Sequence, residues 1–407
     1  MRAVVKGNLG AVALILLGFG CSDPAGGEPE SPLGPTETAS GSDGGASRSR
    51  GSANASGGAV EPWNGEPATL DVPMTECAPL IFDSCQAVYP SGAISALGRL
   101  QRLGSRWLAE GVWDSGFVVF DADGGDASEG FVRTGSLDRA AASSDDFHVA
   151  SIDDGKVVHR RYDTAGNALG VPVLLAEETP DEIALGRVGD GSLVVWSTPT
   201  HVVARGVTGA GPADDVFHLE TDVWKDGFRA ALASRDESEI AIAWSDRRVA
   251  DSHHRVFFVR ADTAGARGLP RTLIDSLAPH RVVDLERTDA GYALVVAEGD
   301  RALVVPLSEW GDQVGPTYRF FGISRVYGLA VHASGEMLLA ALRSDGRDAV
   351  LRLDPNGAPR GKWMCLDPSP SDKEHSVGLA STDEGYAVLF RSPSEQELLY
   401  YLSAPRP

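Results

Sequence analysis

A turn that recurs along the chain is the feature that most constrains its fold. Residues 162–167 read Tyr-Asp-Thr-Ala-Gly-Asn, and residues 261–266 read Ala-Asp-Thr-Ala-Gly-Ala. An Asp-x-x-Gly sequence is typical of a hairpin turn, because the Asp side chain caps the backbone and Gly adopts a positive φ. Related turns begin at intervals of 42 to 54 residues, at Asp121, Asp163, Thr208, Asp262, Ser308 and Asp354. A period in the forties predicts a propeller or a similar array of sheets.

A second series of turns keeps the same period about twenty residues upstream of the first. It has seven members: Gly104-Ser105, Asp145-Asp146, Asp190-Gly191, Glu237-Ser238, Ala290-Gly291, Ser334-Gly335 and Glu384-Gly385. Two short apolar runs separated by a polar break lie between each turn of this series and the next turn of the first. Each repeat is therefore predicted to form four strands, a to d, joined by an a–b turn, a b–c break and a c–d turn.

The inner strands are apolar without alternation, as in 240–244, 337–342 and 386–390. Strands covered on both faces have this composition, whereas a sheet with one wet face alternates. A two-sheet sandwich would also have short strands, but it would not keep one period over seven turns. The sequence thus predicts an all-β fold, a seven-bladed β-propeller of four-stranded antiparallel blades.

The last repeat predicts how the ring closes. Its strand c lies near 398–402 and the sequence ends at Pro407, so strand d is missing. The segment near 85–89 precedes the first repeat and could supply it. A ring closed by its N-terminal strand has no exposed sheet edge at the junction.

The N-terminal region predicts export. Residues 1–20 have the basic start, apolar core and small-residue end of a signal peptide. The ending Leu-Gly-Phe-Gly-Cys resembles the lipobox of bacterial lipoproteins, with Gly18 and Phe19 departing from the usual residues. The resemblance implies that Cys21 is lipidated, that the acyl chains anchor the protein, and that Ser22 directs it to the outer membrane. Residues 21–67, rich in Gly, Ser and Pro, are predicted to be a disordered tether, and 68–407 a single propeller domain.

The charge of the chain limits its partners. It has 57 Asp and Glu against 36 Lys and Arg, a net charge of −21. Nucleic acid is therefore an unsuitable partner, and so is an anionic membrane surface except through the lipid anchor.

Beyond Cys21 the sequence has three cysteines, Cys77, Cys85 and Cys365. An exported protein can form disulfides, and an odd number leaves one thiol over. We favour Cys77 with Cys85, which would close a short loop; the alternative is a bridge to Cys365 that ties the two ends of the ring. No Cys-x-x-Cys is present, which argues against a zinc site.

The strong catalytic and cofactor motifs are missing. The sequence contains no Gly-x-Ser-x-Gly, His-Glu-x-x-His, Gly-x-Gly-x-x-Gly or Walker-type loop, and no sialidase-type Asp box. Asp121 and Asp123, with Asp126 three residues further on, resemble a calcium loop, but Gly125 stands at the next alternate position, so a hairpin turn is the default and no cofactor is predicted.

Two loops offer the best candidate binding site. In a propeller the d–a and b–c loops emerge on one face, around the mouth of the central channel, and one long loop of each kind falls on the fourth blade. Their polar and aromatic side chains suit a polar or anionic ligand or a partner protein. The candidate residues are Asp222, Trp224, Lys225, Asp226, Asp246, Arg247, Arg248, Asp251, His253 and His254.

The chain as a whole resembles a group of bacterial exported lipoproteins with repeat-built β-propellers. The resemblance rests on turn motifs, so it implies architecture and location but no catalytic residue. A membrane-tethered module that binds an envelope protein or a polar ligand is the favoured function. An extracytoplasmic carbohydrate-active or other hydrolytic or lyase enzyme, with its site at the channel mouth, is the alternative. Charged side chains converging from three or more blades would favour an enzyme, and a flat apolar patch a protein partner.

Overall fold

The computed structural model describes residues 68–80, 82, 84–88, 97–111, 116–121, 136–198, 200–221, 228–247, 252–366, 377–391 and 397–403. The predicted signal peptide, Cys21 and the tether lie outside this part of the chain. Within the described ranges the regular elements are β-strands, joined by turns, and they form seven sheets. These ranges contain no helix long and apolar enough to cross a membrane.

The sheets follow one another along the chain and form the seven blades of the propeller. Blade 1 contains β4 (Leu97–Leu103), β5 (Arg106–Gly111) and β6 (Phe117–Asp121). Blade 2 contains β7 (Ser136–Ala142), β8 (Asp146–Asp153), β9 (Lys156–Asp163) and β10 (Val173–Ala176). Blade 3 contains β11 (Ile183–Val188), β12 (Gly191–Ser197), β13 (His201–Thr208), β14 (Gly211–Pro212) and β15 (Phe217–Thr221). Blade 4 contains β16 (Arg229–Ser234), β17 (Ile240–Arg247), β18 (His254–Asp262), β19 (Gly265–Ala266) and β20 (Arg271–Ser276).

The last three blades also include strands from the N-terminal segment. Blade 5 contains β21 (His280–Thr288), β22 (Gly291–Glu298), β23 (Arg301–Ser308), β24 (Thr317–Phe321) and β1 (Thr69–Val72). Blade 6 contains β25 (Ile323–Val331), β26 (Met337–Arg343), β27 (Asp348–Leu353), β28 (Pro359–Cys365) and β2 (Ala78–Pro79). Blade 7 contains β29 (Val377–Ser381), β30 (Gly385–Arg391), β31 (Glu397–Ser403) and β3 (Ser84–Val88). The predicted seven-bladed β-propeller is confirmed.

The core is divided among the interfaces between blades. Seven hydrophobic clusters of described residues each join two neighbouring blades, and one of them packs Leu100 and Trp107 of blade 1 against Ala387 and Leu389 of blade 7. The ring is therefore closed by packing as well as by strand pairing. This arrangement explains the uniformly apolar inner strands, because each blade is buried on both faces.

The repeated turns have the predicted chemistry. Asp163 Oδ1 accepts hydrogen bonds from the backbone N–H groups of Ala165 and Asn167, and Gly166 has a φ of 85°. Asp354 caps the equivalent turn of blade 6 in the same way, with Gly357 at a φ of 89°. Ser308 in blade 5 uses its hydroxyl for the same purpose, which explains why the motif tolerates Ser in place of Asp.

The N-terminal segment closes the ring, as predicted. Strand β3 pairs antiparallel with β31 from Ser84 opposite Tyr401 to Val88 opposite Glu397, and so supplies the missing fourth strand of blade 7. Two further pairings were not predicted. Strand β1 adds parallel to the outer strand β24 of blade 5, and β2 adds parallel to β28 of blade 6. We call residues 68–88 the strap, because this segment runs along the outer edges of three consecutive blades.

A disulfide fastens the strap to blade 6. Cys77 bonds to Cys365, with their Cα atoms 5.6 Å apart, so the pairing formed is the alternative one and the favoured Cys77–Cys85 loop is wrong. Buried Arg343 adds to this attachment, since its guanidinium donates to the Thr75 carbonyl oxygen and lies 3.1 Å from the Met74 sulfur. Cys85 lies in β3, opposite Tyr400. The strap thus has a covalent fixed point between β1 and the closing strand β3.

Candidate functional site

The central channel contains the most concentrated group of charged side chains. A cavity of about 360 Å³ opens among the innermost strands and is lined by residues of all seven blades. Most of its lining comes from the beginnings of these strands, so it lies at the face where the d–a and b–c connections emerge. We call it the upper cavity. Its charged lining residues are Arg99, Glu110, Arg139, Glu182, Asp284, Arg229 and Arg325.

Arg139, Arg229 and Arg325 line the upper cavity, and the charge of Arg281 interacts with those of Arg229 and Arg325. We call these four residues, which come from four blades, the arginine ring. Glu182 lies between two of them, with Oε1 2.6 Å from Arg139 Nη2 and Oε2 3.1 Å from Arg229 Nη1. Arg281 and Arg325 are exposed and form no ion pair with any described residue. The ring therefore presents more positive charge than its own carboxylate neutralises.

The pKa of Arg281 reflects the positive charge of the ring. Its pKa is lowered below the ordinary arginine value, first by partial burial and then by the positive charges of Arg229 and Arg325, while Glu182 acts in the opposite direction. Repulsion among three guanidinium groups is relieved when an anion binds between them. Guanidinium groups also match carboxylates and phosphates in geometry.

The channel contains two adjoining cavities. A second cavity of about 240 Å³, the lower cavity, shares four lining residues with the upper one: Arg99, Asp284, Tyr327 and Val377. These four residues form the boundary between the two cavities, which we call the waist. Asp284 is fixed there, since its Oδ1 accepts from the Leu285 N–H and its Oδ2 from the Leu329 N–H. The Tyr327 hydroxyl donates to Asp348 Oδ1 at 2.7 Å and holds the tyrosine ring in place.

Two carboxyl groups at the waist and in the lower cavity, Asp284 and Glu286, have raised pKa values. Glu286 lines the lower cavity, and burial together with the charge of Asp284 raises its pKa to about 8, so that it is mostly protonated at neutral pH. Burial also raises the pKa of Asp284, against the effect of Arg99 and the two backbone hydrogen bonds. The carboxylates Asp284, Glu110 and Glu286 raise the pKa of Arg99 although burial opposes its charge. Arg99 is exposed, and Asp284 and Glu286 are half-buried, so solvent reaches all three groups.

Backbone irregularities place the channel residues. The innermost strands of blades 1, 2, 5 and 6 have register shifts between Leu97 and Leu100, Ser136 and Arg139, Val282 and Asp284, Ile323 and Arg325, and Val326 and Gly328. Each shift lies at a charged or aromatic channel residue. The innermost strands of blades 3, 4 and 7 pair without a shift. A β-bulge changes the direction of a side chain and is frequent beside functional sites.

The loop site predicted on blade 4 is only partly described. Asp222, Trp224, Lys225, Asp226, Arg248 and Asp251 lie outside the described residues. Asp246 is buried and lies opposite Arg255 in the β17–β18 pair. His253 Nδ1 lies 2.5 Å from Asp275 Oδ1, and burial followed by the charge of Arg247 lowers the pKa of His254. None of these four described residues lines the two channel cavities.

One group resembles a catalytic arrangement but is buried. His159 Nε2 lies 3.0 Å from Ser192 Oγ and 3.1 Å from His148 Nδ1, and His148 Nε2 lies 3.4 Å from Asp146 Oδ2. At most 1% of each of Ser192, His148 and His159 is exposed, so a substrate cannot reach them. Burial lowers the pKa of His148 to about 3 and that of His159 to about 4. The group is a structural network between blades 2 and 3.

The turn considered for calcium lies mostly outside the described residues. Asp121 ends strand β6 and its Oδ1 lies 2.7 Å from Arg106 Nε, while Asp123 and Asp126 lie outside the described residues. No group of three potential metal ligands occurs within the described residues.

The repeat contained a signal for the arginine ring. Arg139, Arg229, Arg281 and Arg325 each precede the a–b turn of their blade by six to nine residues. Aligning the repeats on this turn would have placed an arginine near the start of the innermost strand in four blades. Arg99, five residues before Gly104, belongs to the same pattern.

The fold and this channel define the protein as a seven-bladed β-propeller, and comparison with solved structures agrees. A chain of Kuenenia stuttgartiensis hydrazine synthase matches 78% of this chain over 100% of its own length, with 10% identity and a TM-score of 0.53. The β-propeller domain of Myceliophteria thermophila Cps50 (Swd1) matches 79% over 99% of its length, with 12% identity and a TM-score of 0.50.

A prolyl endopeptidase is also similar, at 16% identity and a TM-score of 0.48; this chain spans about half of its length, 47%. At these identities the similarity shows the fold alone. No family model matches the sequence, and no curated protein matches it.

Proposed function

We propose that the protein is an exported, lipid-anchored binding module that holds a small anionic ligand at the mouth of its propeller channel. The observation that carries the proposal is the convergence of arginines from four blades on one cavity, in a chain of net charge −21. Cations concentrated in one cleft of an acidic protein attract anions to that cleft. The cavity volume of about 360 Å³ lies in the range of small-molecule sites.

Replacing Arg281 and Arg325 together with Gln should weaken anion binding by about a hundredfold or more. Each guanidinium that contacts an anion contributes about 1.5–3 kcal/mol, which corresponds to roughly ten- to a hundredfold in affinity. Both side chains are exposed and unpaired among the described residues, so their loss should leave the fold unchanged. Titration calorimetry with carboxylate and phosphate ions, at low and at moderate salt, measures the effect.

The control is Arg360→Gln, which is matched in charge to either single variant, Arg281→Gln or Arg325→Gln. Arg360 lies on the outer strand β28, is exposed, and is 3.7 Å from Glu336 Oε2. It changes the net charge by one unit without touching the channel, so anion affinity should stay within about twofold. Equal weakening by the control variant would show that the attraction comes from the overall charge and would contradict a site at the channel.

Two observations support the alternative function, an extracytoplasmic hydrolase or lyase. Charged side chains converge from more than three blades, which is the arrangement expected of an enzyme, and Asp284 and Glu286 are carboxyls with raised pKa values. The described lining of the upper cavity offers Arg, Glu, Asp and Tyr side chains but no Ser, Cys, His or Lys. Catalysis there would have to use the carboxyls as acid and base. Conversion of a bound ligand, followed by NMR, would favour this alternative.

The lipid anchor has its own test. Cys21→Ser should move the protein from the membrane fraction to the soluble fraction, because the acyl chains cannot be attached without the thiol. Ser22→Ala, a change at the neighbouring position, should leave the membrane fraction unchanged. Membrane association of the Cys21→Ser protein would exclude the lipid anchor.

A further inference from the structure

We propose that the ligand is a sugar acid, with its carboxylate in the arginine ring and its hydroxyl-bearing ring on the waist of the channel. This inference rests on the proposed anion-binding function and specifies its ligand class. It follows from what lies directly below the arginines.

The two cavities adjoin at the waist. Arg99, Asp284, Tyr327 and Val377 line both of them, so a ligand anchored in the arginine ring extends towards these side chains. An isolated inorganic anion would fill the ring and make no use of the groups below. The structure therefore favours a ligand with an anionic end and a body.

The waist offers hydrogen-bond donors and acceptors side by side. Arg99 is a donor with no ion pair to a described residue, and Asp284 is an acceptor whose two oxygens are oriented by backbone N–H groups. Hydroxyl groups both donate and accept, so several hydroxyls on one ring match this mixed lining. A second anionic group would be repelled by Asp284, and an ammonium group by Arg99. Neutral hydroxyls suit a waist in which one positive and one negative charge cancel.

The same waist has an apolar face. The Tyr327 hydroxyl is already engaged by Asp348, so the tyrosine contributes its ring rather than a hydrogen bond. Val377 of blade 7 belongs to the hydrophobic cluster against which Tyr327 packs and adds aliphatic surface beside it, and Val326 of blade 6 also lines the upper cavity. A sugar ring has C–H groups on one face and hydroxyls at its edge, and aromatic rings in binding sites pack against such apolar faces.

The test is calorimetry at pH 7 with D-glucuronate, acetate, inorganic phosphate and D-glucose as the four probes. We expect D-glucuronate to bind at least about tenfold more tightly than acetate, which shares only its carboxylate, and D-glucose to bind at least as weakly as acetate. Asp284→Asn and Glu286→Ala should each weaken D-glucuronate binding by about tenfold, and neither should weaken phosphate binding. Glu286→Ala is the safer variant for folding, because the Glu286 side chain forms no hydrogen bond with any described residue.

A pH profile separates a contact from a structural effect. D-glucuronate affinity should fall as Glu286 ionises above pH 8, because the new charge faces the ligand, and Glu286→Gln should remove this fall. Besides Glu286, the charged or titratable groups that line the two cavities are Arg99, Arg102, Glu110, Arg139, Glu182, Arg229, Asp284, Arg325 and Tyr327.

The outcomes distinguish the two proposals. The sugar-acid inference would be overturned if phosphate or acetate bound as tightly as D-glucuronate and if Asp284→Asn and Glu286→Ala had no effect. The anion site would then still stand. D-glucose binding as tightly as D-glucuronate would also overturn it, because the arginines would then have no role. Binding of none of the three anions would overturn the proposed function as well.

Discussion

Deletion of residues 68–91 should lower the stability of the propeller by several kcal/mol. The deletion removes the closing strand β3, which pairs with β31 over five residue positions, together with the disulfide that fastens the strap to blade 6. It also exposes an edge of blade 7 that is paired in the intact protein. Folded domains are stable by only about 5–15 kcal/mol, so we expect the melting temperature to fall by about 10 °C or more. Differential scanning calorimetry on the full chain and on the chain without residues 68–91 measures this change in melting temperature.

A shorter deletion is the control. Removing residues 68–73 deletes β1, which adds parallel to blade 5, but leaves the Cys77–Cys365 bond, the Arg343 contacts and β3 in place. This shorter deletion should lower the stability far less, because blade 5 already has four strands of its own without β1. An unchanged melting temperature after the longer deletion would mean that β3 does not close the ring in solution.

Acidification from pH 6.5 to 4 should destabilise the protein through His148 and His159. Burial holds the pKa of these imidazoles at about 3 and about 4 in the folded state, below the ordinary value near 6.5. Both are neutral in the folded protein and become charged on unfolding, so the unfolded state binds more protons in this window. Their stabilising contribution is complete above pH 6.5 and is lost as the pH falls towards 4. Two protons give a slope of at most about 2.7 kcal/mol per pH unit.

Glu286 acts with the opposite sign. Its folded pKa of about 8 exceeds the unfolded value, so its proton stabilises the folded state increasingly as the pH falls from 8 to 4.5. The comparison is therefore made between the Glu286→Gln protein and the same protein with His148→Gln and His159→Gln added. Urea unfolding at pH 7, 6 and 5 should show a steeper loss for the chain that keeps both histidines. Parallel pH dependence in the two chains would contradict the buried neutral pair.

Local chemistry made the architecture predictable. In the Asp163 turn and in the Asp354 turn, the contacts join residues only a few positions apart, and only Gly adopts the positive φ at low cost. The sequence of each turn therefore directly indicates a c–d hairpin. The absence of a fourth strand in the last repeat likewise predicted that β3 would complete blade 7. The parallel strands β1 and β2 had no such signal, because a short segment added to an outer edge needs no repeat and no turn.

The candidate site depended on contacts that local reasoning does not reach. The blade 4 loops were chosen for their length and polarity, yet the arginine ring joins residues up to 186 positions apart, from Arg139 to Arg325. The Cys77–Cys365 bond spans 288 positions, and the favoured Cys77–Cys85 pairing was chosen only for its short loop.

The sequence by itself determined the number of blades, their turns and the strand that closes the ring, because each of these follows from chemistry within a few neighbouring residues or from the period of the repeat. Only the tertiary structure decided which charged side chains meet in the channel. The innermost strands of four blades shift register beside Arg99, Arg139, Asp284 and Arg325, and a shift by one residue sends every following side chain to the other face of the strand. Strand periodicity therefore cannot predict the direction of these side chains.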